Sequence, residues 1–281
     1  MNLDSAEDVE VERGSIRVHT RPEDFEGMRR AGQLAAACLD MLAPLVVPGV
    51  ATDALDTAAR EFILDHGALP ACLGYKGYTK TTCISRNHVV CHGVPGGPAN
   101  LRLNAGDVAN IDVTVIVDGW HGDTSRMYPV GEISPKARRL LDVTHASMWK
   151  GIEAVKPGAT FRDIGAAIQD YAEAQRCSVV RDFCGHGVGK IFHDTPNVLH
   201  YRGHDAQGRP VGLQVLEPGM FFTIEPMINL GRADVKVLSD GWTAVTKDKS
   251  LSAQYEHAVG VTETGVEVFT RSPAGLDKPG F

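Results

Sequence analysis

The chain has 281 residues, 43% of them hydrophobic and 22% charged, and a formal net charge of −7. That is enough sequence for one large folded domain or two small ones, and its acidity argues against a nucleic-acid groove. No apolar run approaches the ~20 residues of a membrane span. The amino terminus, MNLDSAEDVEVERGS, has neither a basic start nor an apolar stretch, so it does not read as a signal peptide. Residues 1–21 are expected to form a flexible acidic arm, with order beginning near Arg21-Pro22, and the expected location is the cytoplasm. Six cysteines in such a chain are expected to be reduced. None forms a CxxC, which leaves small buried filler as their default role.

Asp24 can cap a helix carrying Met28, Ala31, Leu34, Ala35, Cys38, Leu39 and Leu42 at helical spacing, and Pro44 ends it. Pro48-Gly49 turns the chain into a second predicted helix over 52–66. Further on, residues 110–128 read NIDVTVIVDGWHGDTSRMY. Apolar residues alternate up to Val117, and Asp118-Gly119 then gives the strongest short-range signal for a two-residue hairpin. With that loop Val117 faces Trp120, Asp112 faces Ser125 and Asp123 faces Thr114. Asp112 and Asp123 then share a face as diagonal neighbours, while Val113, Val115 and Val117 form the other, core face. Two such acids are either a solvated hairpin face or a site that needs a cation or a proton.

Two more helices are predicted over 136–154 and 161–175, with Pro157-Gly158 between them. These align with the first pair at a fixed offset of 109: Pro48-Gly49 falls on Pro157-Gly158 and Phe62 on Tyr171. At offset 113, Leu103, Gly106, Ile111 and Asp112 fall on Leu216, Gly219, Ile224 and Glu225. His92-Gly93-Val94 likewise matches His186-Gly187-Val188. Two copies of a helix–helix–strand unit predict an α+β domain with a pseudo-twofold axis and a site between its halves, about 22–130 and 131–270. Glu225 would then approach Asp112, and Glu256, which opens an alternating strand in QYEHAVGV, needs a partner that a metal can supply. Asp112, Asp123, Glu225, Glu256 and His186 are too many ligands for one zinc, but suit two divalent ions with shared carboxylates.

These motifs, with ACLGYKGY (71–78), CISRNHVVCHGVP (83–95), FCGHGVGKIFH (183–193), FTIEPM (222–227) and DGWTAVTKDKSLSAQYEH (240–257), make the chain resemble the type I methionine aminopeptidases of the bacterial short form. The resemblance runs from about residue 22 to 270. It implies the pita-bread fold, a curved antiparallel sheet with helices outside, as one catalytic domain over 22–281. It implies Asp112, Asp123, His186, Glu225 and Glu256 as metal ligands, with Asp123 and Glu256 bridging, and Glu225 as the group that handles the attacking water's protons. By the same resemblance His92 contacts the scissile nitrogen and His193 the carbonyl oxygen. Cys72, Tyr75, Tyr78, Cys83, Phe192 and Trp242 form the methionine pocket. His88, His121, His200 and His204 are given no role.

The implied cofactors are two divalent ions, with manganese, iron, cobalt and zinc all open. The implied partners are the N-termini of nascent chains, met by a monomer without nucleic-acid or membrane contacts, and docking at the ribosome is left open. The alternatives are a prolidase or aminopeptidase P, which carry an additional amino-terminal domain, and a metal-free pita-bread binding module, which would have lost ligands.

Overall fold

The computed structural model describes residues 16–98 and 100–279. The described residues form four α-helices: α1 Pro22–Leu42, α2 Thr52–Asp65, α3 Pro135–Glu153 and α4 Phe161–Ala174. The strands of the first half are β1 Leu69–Pro70, β2 Thr82–Arg86, β3 Val89–Cys91, β4 Val108–Val117 and β5 Trp120–Pro129. Those of the second are β6 Ser178–Val179, β7 Gly185–Gly187, β8 Asp194–Val198, β9 Phe221–Ile224, β10 Met227–Asn229, β11 Val235–Val237, β12 Ala244–Thr246, β13 Ser252–Gln254, β14 Glu256–Val261 and β15 Val266–Val268. One antiparallel sheet runs β1-β4-β5-β14-β9-β7-β8, with β2 on β4 and β15 on β14, and two three-stranded sheets flank it as β13-β10-β6 and β11-β12-β3.

The β4–β5 hairpin has the expected register: Val117 opposite Trp120, Thr114 opposite Asp123 and Asp112 opposite Ser125. Asp118 and Gly119 both take positive φ, 50° and 81°, as a type I′ turn requires. Val113 and Val115 are wholly buried in a cluster with Leu39, Leu42, Leu55 and Ile63, so α1 and α2 cover that face. At Gly122 α1 comes so close that a Cβ would lie 2.1 Å from the Ala31 carbonyl oxygen. The second half builds its own core from α3 and α4, through Leu140, Leu141, Ile164 and Ile168, against Phe222 and Ile224 of β9.

Register makes the pseudo-symmetry explicit. A shift of 113 carries β4 onto β9 and β10, and a shift of 131 carries β5 onto β13 and β14. The pair Ile111–Arg126 becomes Ile224–His257, and Thr114–Asp123 becomes Met227–Gln254. Ser125 pairs with Glu256, its own mate, so the axis passes between these two residues.

Three expectations need correction. Asp24 does not cap α1: Pro22 at the first helical position starts the helix earlier, Arg21 is the cap residue, and the Asp24 carboxylate accepts from the Arg21 guanidinium at 2.8 Å. The 1–21 arm is too long: Ile16 packs on the core, Arg17 pairs with Asp194 at 2.6 Å, and His19 donates its backbone N–H to Gly219 and stacks on Phe221. Residues 1–15 of that arm lie outside the described residues. Finally, His92 and His186 are not mates. Gly187 faces Phe222 as Arg86 faces Ala109, which gives His186 the place of Ser85. His92 instead follows β3, which belongs to a flanking sheet. The shared tripeptide is local, whereas equivalence is set by pairing partners distant in sequence.

Candidate metal centre

β4 and β5 present Asp112 and Asp123, Glu225 follows β9, Glu256 opens β14, and His186 is the middle residue of β7. All five line one cavity of about 360 Å³. Ligand atoms of Asp123, His186 and Glu256 lie within 4.8 Å of one another. The Nε2 of His186 is 3.5 Å from Asp123 Oδ2 and 3.6 Å from Glu225 Oε1, so it sits between carboxylates from both halves. Its Nδ1 lies 3.0 Å from the Gly187 carbonyl, which can only accept. Nδ1 therefore keeps its hydrogen, and Nε2 is the atom free to offer a lone pair to a metal.

Burial, followed by the charge of Asp123, pushes the carboxyls of Asp112 and Glu256 well above the usual carboxylate range. Burial lifts Glu225 to about 7, with His186 opposing the rise and Asp123 adding to it. Asp123 moves the other way: burial opposes ionisation, but the bond and charge of His186 and the Thr114 hydroxyl, 2.6 Å from Oδ1, outweigh it. Burial would lower His186, yet Asp123 and Glu225 raise it to about 9. Four acids around one imidazole are short of positive charge, and such a group buries stably when a cation joins it. Carboxylate oxygens with one nitrogen are also the donors that divalent manganese, iron, cobalt or zinc accept. The residues fit a metal centre.

His92 and His193 line the same cavity. His193 stands at its mouth, with Nδ1 3.0 Å from the Tyr75 hydroxyl and its ring 4.2 Å from that of His186. Desolvation and the neighbouring His186 charge pull it down to about 4. His92 has a positive φ of 54° and meets Phe183 edge-on at 5.4 Å, and burial lowers its pKa. At the apolar end Cys72, Tyr78 and Cys83 are buried together, with Phe192 and Trp242 packed against them and Tyr75 4.9 Å from Phe192. Cys83 on β2 faces Asp112 on β4, so the register that places an acid also places the pocket beside it.

The sequence reading missed three side chains that hold Glu225. Thr223 Oγ1 donates to Glu225 Oε1 at 2.8 Å while accepting from the His186 backbone N–H at 3.0 Å. Gln254 Nε2 donates to Glu225 Oε2 at 3.1 Å, and His200 Nε2 accepts from the Glu225 backbone N–H at 3.1 Å. Thr223 lies two residues before Glu225 and Gln254 two before Glu256, a spacing that puts extended residues on one face and was a usable signal. Nothing comparable marked His200.

The sequence pattern of metallopeptidase family M24 matches residues 26–263. The methionine aminopeptidase of Rickettsia prowazekii is 53% identical over 269 residues, covering 95% of this chain and 100% of that one. The crystal structure of that enzyme superposes with a TM-score of 0.86 over 91% of this chain and 100% of the other. The chain belongs to the methionine aminopeptidases of family M24. Its relative in Escherichia coli K12, also a methionine aminopeptidase, is 51% identical over 250 residues, 89% of this chain and 92% of that one. A prolidase from Pyrococcus furiosus shares the fold alone: it is 21% identical with a TM-score of 0.69, and the match covers 90% of this chain and 65% of the prolidase. The chain is thus a metal-dependent hydrolase with the pita-bread fold. Among the described residues no helix is long and apolar enough to cross a membrane.

Proposed function

We propose that the chain removes the N-terminal methionine from nascent proteins and peptides with a small second residue, by hydrolysing the first peptide bond with two divalent ions. The observation that carries this reading is His186 Nε2 between acids of both halves, in the same cavity as a sulfur-lined and aromatic pocket. Asp112, Asp123, His186, Glu225 and Glu256 would hold the ions, with Asp123 and Glu256 shared. When bound, such a pair supplies Lewis acidity and neutralises negative charge as the amide is attacked.

The remaining steps fall to the protein. Cys72, Cys83, Tyr78, Phe192 and Trp242 bind the methionine side chain, whose thioether favours sulfur and ring edges. Glu225, gripped by Thr223 and Gln254, accepts the proton of the attacking water and passes it toward the leaving amine. His193 donates from Nε2 to the carbonyl oxygen as charge builds there, its Nδ1 occupied by the Tyr75 hydroxyl. His92, which lines the same cavity, contacts the scissile nitrogen. The reaction fits a monomer working in the cytoplasm on chains leaving the ribosome, with a catalytic unit that reaches back to Ile16.

The test is methionine release from Met-Ala and Met-Lys peptides, with and without chelator. Release from Met-Ala alone, abolished by chelator and restored by a divalent ion, is expected. Equal rates on both peptides contradict the specificity, release from Xaa-Pro peptides instead favours the prolidase reading, and no release with any ion favours a binding module.

A further inference from the structure

At Glu225 the chain leaves the nine-stranded sheet: β9 ends at Ile224, Pro226 follows, and β10 belongs to a flanking sheet. On one side β14 still pairs, with His257 opposite Ile224. On the other side β7 covers β9 only at Phe222, so no strand carbonyl continues the ladder to the Glu225 N–H. His200, two residues beyond β8, fills that place, and its Nε2 accepts the N–H at 3.1 Å. A nitrogen that accepts carries no hydrogen, so the His200 proton is on Nδ1. Nδ1 is buried, with no hydrogen-bond partner among the described residues, and His200 itself has no exposed surface. An apolar residue would fill the same space without stranding a donor. What the imidazole adds is an acceptor at Nε2, aimed at the backbone of one acid.

We infer that His200 is a positioning residue for the metal centre, acting through the Glu225 backbone. Pro226 confines Glu225 to extended backbone conformations, and the His200 bond fixes where that backbone sits. Thr223 and Gln254 then orient the carboxylate from a fixed base. Without the acceptor, Glu225 keeps its side-chain partners but its main chain is free to pull away from His186 and Asp123. The inference rests on the reading of Glu225 as a ligand and proton acceptor. Buried partners that orient ligands typically change metal affinity by roughly 10–100-fold when lost.

The experiment compares His200→Gln with His200→Asn. A glutamine amide oxygen reaches the position of Nε2, whereas an asparagine amide reaches only that of Nδ1. Both are neutral and similar in polarity, so they share the cost of a buried amide. Manganese binding to the metal-free proteins is followed by calorimetry, their thermal unfolding is measured without metal, and kcat and KM are measured on a Met-Ala peptide. Expected is a metal affinity about 10-fold weaker in His200→Asn than in His200→Gln, with kcat lowered in parallel, KM little changed and metal-free unfolding temperatures alike. Equal metal affinities in the two variants, whether both near wild type or both weak, overturn the inference, as does an affinity difference that merely follows the unfolding temperature. Wild-type protein that fails to release methionine at any manganese concentration refutes the proposed function, while the calorimetric comparison still decides the role of His200.

Discussion

The β4–β5 hairpin and its mate, β9–β10 with β13–β14, share one register but not one chemistry. Where the first carries Asp112 and Asp123, the second carries Glu225 and Gln254. Where the second carries Glu256, the first has Ser125, directly across the axis. The scaffold brings matched positions together, and the residue at each position decides whether it offers the centre a carboxylate or supports a neighbour that does. Asp123 is the acid held ionised, by His186 and Thr114, while its mate Gln254 gives an N–H to Glu225. The symmetric frame thus sets one acid held ionised, Asp123, opposite another, Glu225, whose carboxyl is lifted to about 7.

Glu225→Gln should have the largest effect. It keeps the volume and removes the acceptor, and kcat should fall at least ~10²-fold. Steady-state kinetics at saturating metal read the loss, and near-normal turnover would move the proton transfer to another group. Next is Gly122→Ala. The mate of Gly122 is Ala253, which is tolerated in β13, but at 122 a Cβ would strike the Ala31 carbonyl. We expect a loss of about 1–3 kcal/mol in denaturant unfolding, and unchanged stability would mean that α1 yields easily.

The third, Gln254→Glu, makes the mates alike. It exchanges a donor to Glu225 for a like charge, and should reduce kcat by about 10-fold, in line with the effect of losing a ligand's buried partner. Activity equal to wild type would show that the two sides need not differ. Thr114→Val has the smallest expected effect, a few-fold weaker metal binding, because Asp123 keeps its His186 contact when the hydroxyl is lost. Isothermal titration of metal-free protein measures it, and a metal affinity weaker by about 10-fold or more would rank the hydroxyl with the buried partners that orient ligands.

Much of this frame was legible in the sequence because its signals were local. Asp118-Gly119 and the alternation around it set the hairpin register, and through it the shared face of Asp112 and Asp123. The 109 and 113 offsets revealed the halves, and every residue expected at the site lines the one cavity. What failed depended on partners distant in sequence. The tripeptide match made His92 the mate of His186, yet strand pairing assigns that place to Ser85. His200 left no trace because its partner is a backbone N–H 25 residues away, which has no sequence identity to read. Asp24 looked like a cap because cap and first-turn acids share residue types, and Pro22 decided between them.

Anomalous diffraction from crystals grown with manganese would locate the ions directly. Two peaks are expected in the gap between Asp123 and Glu256, one next to His186 Nε2 and the other beside Asp112, with His92 coordinating neither. Peaks confined to one half, or manganese bound by His92 in place of His186, would contradict a centre assembled across the pseudo-twofold axis.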